Sequence, residues 1–274
     1  LLNYEFLNTS VVVKENFVYN SKKQLEYEPY KKMETFIKRL NKKRKYTDHI
    51  GDSHDTVAYL MIFMNYISAK ELVKYKRGIY RSAKYNENCD IPEHTPDEIK
   101  KFLKMWHSFG GKYTKFQNIE GHDMLDLDAY VHITSPIRRL VDLLSMIELQ
   151  DCLGLFKYNQ NTEAFYKKWT NDQALEYINT TMRSIRKVQN DCSLLNICMN
   201  DQEKLNKEYD GYIFDKIVRN DKLYQYMVYI PELKMSNRFT CRYDKTNLSK
   251  QRFKIFVFID QIRLKQKIRL DLID

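Results

Sequence analysis

Two adjacent arginines, Arg138 and Arg139, close the run Tyr130-Val131-His132-Ile133-Thr134-Ser135-Pro136-Ile137-Arg138-Arg139 and lead into Leu140-Val141-Asp142-Leu143. The chemistry such a run offers is anion binding. Ser135 stands where a helix N-cap stands, and Pro136 falls at the first helical position, where its missing N–H is no loss. A helix start carries unpaired N–H groups and a partial positive charge, and two guanidiniums beside it form a seat for a phosphate. Ile137, Leu140, Val141 and Leu144 repeat at helical spacing, which predicts one buried face and leaves Arg138, Arg139 and Asp142 on the wet side. The same residues equally describe an ordinary helix start with two solvated arginines.

Other residue types that could do chemistry are fewer. Asp123, Asp126 and Asp128 precede the run and read either as metal ligands or as solvated turn acids. Phe109-Gly110-Gly111-Lys112 lacks the Gly-x4-Gly-Lys-Ser/Thr spacing of a P-loop and is expected instead to stop the preceding helix, glycine adopting left-handed backbone readily. The five cysteines, Cys89, Cys152, Cys192, Cys198 and Cys241, contain no Cys-x-x-Cys pair and read as free thiols in a reducing compartment.

The run from Tyr130 to Leu143 resembles the signature of the ribonuclease II, or RNB, family, close to Tyr-x-His-Phe-Thr-Ser-Pro-Ile-Arg-Arg-Tyr-x-Asp-Leu. Ile133 and Leu140 depart from it, whereas Thr134 through Arg139 and Asp142 keep it. His122 is similar to the family's histidine ahead of this signature. Gly78-Ile79-Tyr80-Arg81 resembles its Gly-Ile-(Phe/Tyr)-Arg segment, and Asp52-Ser53-His54 leading into Val57 to Asn65 resembles the long helix before that. The likeness covers most of residues 5–200.

The resemblance implies a processive hydrolase that shortens single-stranded RNA from its 3' end and releases 5'-monophosphates. It implies that Arg138 contacts the scissile phosphate, and that Tyr130, His132, Thr134, Ser135 and Arg139 hold neighbouring RNA. An arginine aimed at a phosphoryl oxygen stabilises charge that grows in the transition state. Family members bind magnesium through aspartates spaced roughly Asp-x5-Asp-x-Asp-Asp, N-terminal to these motifs, and no such cluster occurs in this chain. An acidic residue of the family's long helix is replaced here by Gln189. No metal ligand is therefore assigned, and Mg2+ is expected to be held by a missing N-terminal portion. The opening Leu1-Leu2-Asn3-Tyr4 and a strand expected at Ser10 to Lys14 suggest the C-terminal part of a longer protein, or half of a split enzyme. The alternative is a noncatalytic RNA-binding or scaffolding protein on an RNB-like fold.

These residues need elements to hold them. Met33, Phe36, Ile37 and Leu40 predict an amphipathic helix ending in Asn41-Lys42-Lys43-Arg44-Lys45, and Val57, Leu60, Met61, Met64 and Ile67 predict a second. Thr95-Pro96-Asp97-Glu98 is a capping box opening a helix with Ile99, Phe102, Leu103 and Trp106. From Thr162 to about Asp201 an apolar stripe runs through Leu175, Ile178, Met182, Ile185, Val188, Cys192 and Leu195. The period then changes: residues 209–214, 224–230, 252–258 and 267–272 alternate as strands, which fits a small barrel. Val228 to Leu233 resembles the strand-to-turn of S1-like OB folds. The expected fold is α+β, with residues 1–207 the C-terminal part of an RNB catalytic domain and 208–274 an S1-like OB domain.

Composition sets the remaining bounds. Charged residues at 30% and hydrophobic ones at 43% describe a globular chain. The net charge of +10 favours a polyanionic partner. From residue 208 onward fourteen Lys and Arg face nine Asp and Glu, so a net of +5, half the excess, lies in the last quarter. Exposed aromatics there, such as Tyr226, Phe239 or Tyr243, could stack bases, although most aromatics of a small barrel are core. No apolar run reaches the roughly 18 residues of a membrane span, and no signal peptide is evident at Leu1 to Lys14. The expected setting is intracellular, cytoplasmic or nuclear and not secreted, with single-stranded RNA, and an N-terminal half or an RNA-degradation complex, as partners.

Overall fold

The computed structural model describes residues 4–85, 91–106, 109–200, 202–262 and 265–273. Its helices are α1 (Lys22–Glu26), α2 (Glu28–Lys43), α3 (Ser53–Lys74), α4 (Asp97–Trp106), α5 (Leu140–Cys152), α6 (Gln160–Thr170), α7 (Asp172–Asn200) and α8 (Gln202–Asn206). Its strands are β1 (Ile79–Lys84), β2 (Phe109–Lys115), β3 (Glu208–Val218), β4 (Tyr224–Ile230), β5 (Met235–Cys241), β6 (Lys250–Asp260) and β7 (Lys265–Ile273). Helix-rich and strand-rich parts follow one another, so the fold is α+β. Contacts divide the chain into two compact units, residues 1–87 with 107–177, and residues 88–106 with 178–274.

In the first unit α3 is the central element. Asp52 caps it by accepting the Asp55 N–H at 3.0 Å, and its apolar positions are numerous enough to bury more than one side. Tyr59 packs with Ile37 of α2 and with Ile50, whereas Ala69 and Leu72 pack with Tyr80, Val131, Ile133 and Leu149. The antiparallel pair β1–β2 lies beside the latter group, and residues 129–133 run along the other side of β1, the Arg81 N–H donating to Tyr130 C=O at 2.7 Å. Behind this layer Arg77 binds Glu148 and Asp151, both on α5 and each at 2.8 Å, and Tyr166 of α6 donates to Glu148.

Several sequence expectations change here. Residues 10–14 form no strand: Val11, Val12 and Val13 are exposed, and β-branched residues make a strand only where another strand pairs with them. Gly110 and Gly111 lie inside β2 rather than past a helix end. A Cβ on Gly111 would stand 2.5 Å from Arg81 Nη2, so the residue is needed for its lack of a side chain.

In the second unit five strands pair antiparallel in the order β5-β4-β3-β6-β7. The two outer strands approach one another, joined by the Asn237 side-chain amide donating to Ile268 C=O at 3.0 Å, so the sheet curls into a partly open five-stranded barrel. Tyr209, Ile213, Tyr226, Val228, Phe239, Phe253, Ile255 and Leu270 fill its interior. Gly211 sits where a Cβ would press on Phe253 at 2.7 Å and Val228 at 2.8 Å. Outside the barrel, Phe214 and Tyr229 are covered by Ile99, Phe102 and Leu103 of α4, with Phe102 stacked on Tyr229 at 3.6 Å.

The continuous helix expected from Thr162 to about Asp201 is broken at Asn171 into α6 and α7, and the apolar stripe from Leu175 onward lies on α7. Leu175 and Ile178 are buried, but Ile185, Val188 and Cys192 are exposed. Cys152, Cys192 and Cys241 are free thiols; Cys89 and the Cys198 side chain lie outside the described residues. Among the described residues no helix is long and apolar enough to cross a membrane.

Candidate nucleic-acid interface

The run that carries the chemistry does not begin α5. Residues 136–138 form a separate turn, closed by the Arg138 N–H to Ser135 C=O at 3.2 Å and the Arg139 N–H to the same oxygen at 3.1 Å, and the helix starts only at Leu140 with Arg139 as its N-cap. The cause is Asp142. This carboxylate, fully buried in the first turn of α5, accepts the Ser135 backbone N–H at 2.8 Å and the Arg139 Nη2–H at 2.9 Å. Arg139 Nε lies 2.9 Å from the other carboxylate oxygen, close enough for an ion pair but off line for a hydrogen bond. Asp142 is thus a buried clamp and not a wet-side residue. Burial pushes its carboxyl above the ordinary value, against the opposing pull of the Ser135 amide and Arg139.

Bringing the chain off the helix axis at Ser135 has two results. Ile137, expected in the core, stands fully exposed at 103%. Arg138 is exposed beside it, its Nη2 donating to Ser135 Oγ at 3.3 Å. The two arginines therefore do different things: Arg138 is presented at the surface, and Arg139 is held on Asp142.

The residues before the turn are fixed from α3. Buried Asn65 donates from Nδ2 to Tyr130 Oη at 2.9 Å and accepts the Ile133 N–H at Oδ1 at 3.1 Å, so one side chain sets the strand-like course of residues 130–133. Tyr130 is buried, with the His122 ring 5.1 Å from its own and the His132 ring 5.6 Å away. His132 Nδ1 lies 2.7 Å from the Tyr113 hydroxyl, and the Arg81 guanidinium sits 5.0 Å over the Tyr113 ring. Thr134 Oγ1 and His122 Nδ1 are buried with no hydrogen-bond partner among the described residues. Burial, and then the charge of Arg81, lower the His122 pKa to about 4.

The structure thus brings Tyr130, His132, Thr134, Ser135, Arg138 and Arg139 into one continuous stretch, and adds Asn65, Tyr113 and Asp142 as the residues that hold it. Asn65 and Tyr113 carry no motif of their own. Arg81 lies within the Gly78 to Arg81 segment; it pairs with Tyr113 in the β1–β2 register, and the approach of its guanidinium to Gly111 is a spatial fact that the sequence does not show.

The acids ahead of the run do not converge. Asp123 binds Lys84 at 2.8 Å and the Tyr85 N–H at 2.9 Å, and although burial alone would raise its carboxyl, these partners hold it below the ordinary value. Asp128 binds Lys70 at 2.6 Å, which lowers its pKa. Asp126 takes a left-handed conformation at φ 53° in the turn between them. No group of three or more His, Cys, Asp or Glu able to hold a metal ion is found among the described residues, so these residues do not fit a magnesium site.

In the barrel, Tyr226 and Phe239 are core residues rather than stacking platforms, Tyr226 donating its hydroxyl to Asp244 at 2.9 Å. Tyr243 is 75% exposed. Phe256 and Phe258, which face outward, were not singled out by sequence; the signal was there in the parity, since Phe253 and Ile255 face inward.

No family model matches the sequence, and no curated protein matches it. Solved structures do. The chain is similar to Mycoplasma genitalium RNase R in its apo form, with a TM-score of 0.51 and 16% identity over 87% of this chain and 48% of that one. It is similar to the same protein in complex with ribose methylated single-stranded RNA, with a TM-score of 0.52 and 16% identity over 87% and 48%. It is also similar to yeast Ssd1, a pseudonuclease, with a TM-score of 0.53 and 14% identity over 82% of this chain and 34% of Ssd1. The chain has an RNB-like fold. It spans about half the length of the RNase R chains. The RNB-like fold agrees with the Thr134 to Arg139 signature, and it occurs both in RNase R and in a protein described as a pseudonuclease.

Proposed function

We propose that this chain is part of a 3'-to-5' exoribonuclease of the RNB type, acting processively by hydrolysis on single-stranded RNA and releasing 5'-nucleoside monophosphates, in the cytoplasm or nucleus. The observation that carries the reading is the exposed Arg138 on a turn fixed from behind by Asp142 and Asn65. An arginine held by its backbone, with an exposed guanidinium that makes one hydrogen bond to Ser135 Oγ, is suited to grip a phosphoryl oxygen whose charge increases during reaction. Ser135 Oγ orients it, and Tyr130, His132 and Thr134 line the backbone that leads to it.

Magnesium is the cofactor in this proposal, but the described residues provide no site for it. Its ligands would come from elsewhere, whether from an N-terminal half or a partner in a degradation complex. A second reading, a noncatalytic RNA-binding or scaffolding protein, is supported by the likeness to Ssd1, a pseudonuclease.

The test is shortening of a 5'-labelled single-stranded RNA in magnesium, with RNA binding measured in parallel, for the chain and for Arg138→Ala. In a protein competent for hydrolysis the substitution is expected to slow the reaction on the order of 10²-fold or more. Binding that depends on Arg138 without any hydrolysis would favour the second reading. Hydrolysis unchanged by Arg138→Ala would sink the first.

A further inference from the structure

The barrel is open along one line, between the outer strands β5 and β7, and a cavity of about 280 Å³ lies there. Its walls are Arg238 and Thr240 of β5, Phe256 and Phe258 of β6, and Arg269 of β7, with Phe239 and Leu270 at its base. Phe256 and Phe258 point to the outer face and are 43% and 44% exposed, two large apolar rings left side by side at the surface. The Arg269 guanidinium lies 5.6 Å over the Phe258 ring. Among the described residues neither Arg238 nor Arg269 forms an ion pair with a carboxylate, whereas elsewhere on the barrel Lys216 pairs with Asp244, Lys250 with Asp210 and Arg252 with Glu208.

Two unpaired cations beside two half-exposed aromatic rings define the chemistry of an occupant: a flat apolar face joined to an anion. A nucleotide is such a molecule. Its base has a π-face that stacks on phenylalanine whatever its identity, and its phosphate pairs with a guanidinium. The size limits the cavity to about one nucleotide, since pockets for larger ligands occupy roughly 300 to 1,000 Å³. The unpaired edges of β5 and β7 add backbone donors and acceptors within the same opening.

We propose that this opening is a nucleotide-binding groove, a base packing on Phe256 and Phe258 while its phosphate lies between Arg238 and Arg269. The proposal rests on the reading of the chain as RNA-binding and assigns one point of contact to the outer face of the barrel. The groove takes the nucleotide from a single strand that crosses it; a free nucleoside monophosphate offers the same chemistry with fewer contacts.

The experiment is fluorescence anisotropy of the full chain with a labelled ten-nucleotide oligoadenylate, titrated at several salt concentrations, with adenosine 5'-monophosphate as competitor. Phe258→Ala is expected to weaken binding roughly 5- to 100-fold, the range for removing one base-stacking ring. Phe258→Leu, which keeps the apolar bulk, is expected to weaken it nearly as much, and Arg269→Ala to flatten the dependence of log affinity on log salt by about 0.7. Thermal melting of each variant shows that the barrel is intact. Competition by the mononucleotide at low concentration would identify the free nucleotide as the occupant, still within the groove. Unchanged affinity in Phe258→Ala and Arg269→Ala, with binding lost in Arg138→Ala, would overturn the groove and leave the proposed function standing. Groove variants that lose affinity while Arg138→Ala binds normally would support the groove and count against the role of Arg138. Absence of RNA binding by the unaltered chain would overturn both.

Discussion

Asp142 Oδ1 accepts the backbone N–H of Ser135, seven residues earlier in the chain, at 2.8 Å. That bond takes the place of a helix cap. Arg139 rather than Ser135 is the N-cap of α5, and with the Ser135 N–H tied to Asp142 the residues between them stand out as a turn. Arg138 owes its exposure to this arrangement, and Arg139 its partial burial.

Asp142→Ala would leave the Arg139 guanidinium, 18% exposed at its side chain, without its carboxylate. Removing one member of a buried pair costs about 3 to 5 kcal/mol. Urea denaturation should show a loss of that order. Asp142→Asn, which keeps an acceptor for the Ser135 N–H, should lose less; equal stability of both variants and the parent would mean that the clamp does nothing.

Arg138→Ala should behave in the opposite way. The side chain is exposed and donates one hydrogen bond, to Ser135 Oγ, so the denaturation midpoint should stay within about 0.5 kcal/mol of the parent. A marked loss of stability would show that Arg138 belongs to the structure rather than to a ligand.

His122 gives the protein a dependence on acid. Its ordinary pKa of 6.5 falls in the folded state to about 4, first through burial and then through Arg81. Between those values the unfolded chain binds a proton that the folded chain refuses, so acid favours unfolding. The contribution is fully present above about pH 6.5, is lost as the pH falls toward 4, and amounts to about 3 kcal/mol at most. His122→Gln should flatten this part of the stability curve, with urea midpoints at pH 7 and pH 4.5 as the comparison. Parallel curves would contradict it.

Gly111→Ala would drive a methyl group into the Arg81 guanidinium, which is 9% exposed and seated over Tyr113. The arginine has little room to yield, and the expected loss is about 1 to 3 kcal/mol, read by thermal melting. Gly154→Ala, with nothing within 4 Å of the new atom but φ at +67°, separates backbone strain from crowding.

Local pattern made much of this fold legible. Apolar spacing predicted α2 and α4, and alternation predicted β3, β4, β6 and β7, because these elements bury one face and their period shows it; α3, buried on more than one side, was predicted from the density of its apolar residues. β5 was missed because its inward set is Met235, Asn237, Phe239 and Cys241, in which an asparagine interrupts the apolar alternation; that asparagine is the one that joins β5 to β7. Gly111 was read through glycine's backbone freedom when its small size was what counted. The start of α5 was misplaced because a serine followed by proline describes a cap equally well whether or not a buried aspartate has claimed the serine's N–H. At the candidate site the signature residues were visible in sequence, while Asn65, Tyr113 and the role of Asp142 depend on contacts between distant parts of the chain. On α7, spacing told which residues share a face, but Ile185 and Val188 show that it does not tell whether anything covers them.

The side-chain amide of Asn237 has a mechanical consequence. Every other junction around the barrel is a ladder of backbone hydrogen bonds, but the joint between β5 and β7 is held by this amide on the Ile268 carbonyl. Among the described residues this is the one joint of the wall without a backbone ladder, so it is where the barrel should part most easily while the four ladders stay closed. Amide hydrogens on the free edges of β5 and β7 should exchange with solvent faster than those of β3, which is paired on both sides, so an opening that admits a ligand need not loosen the rest of the barrel.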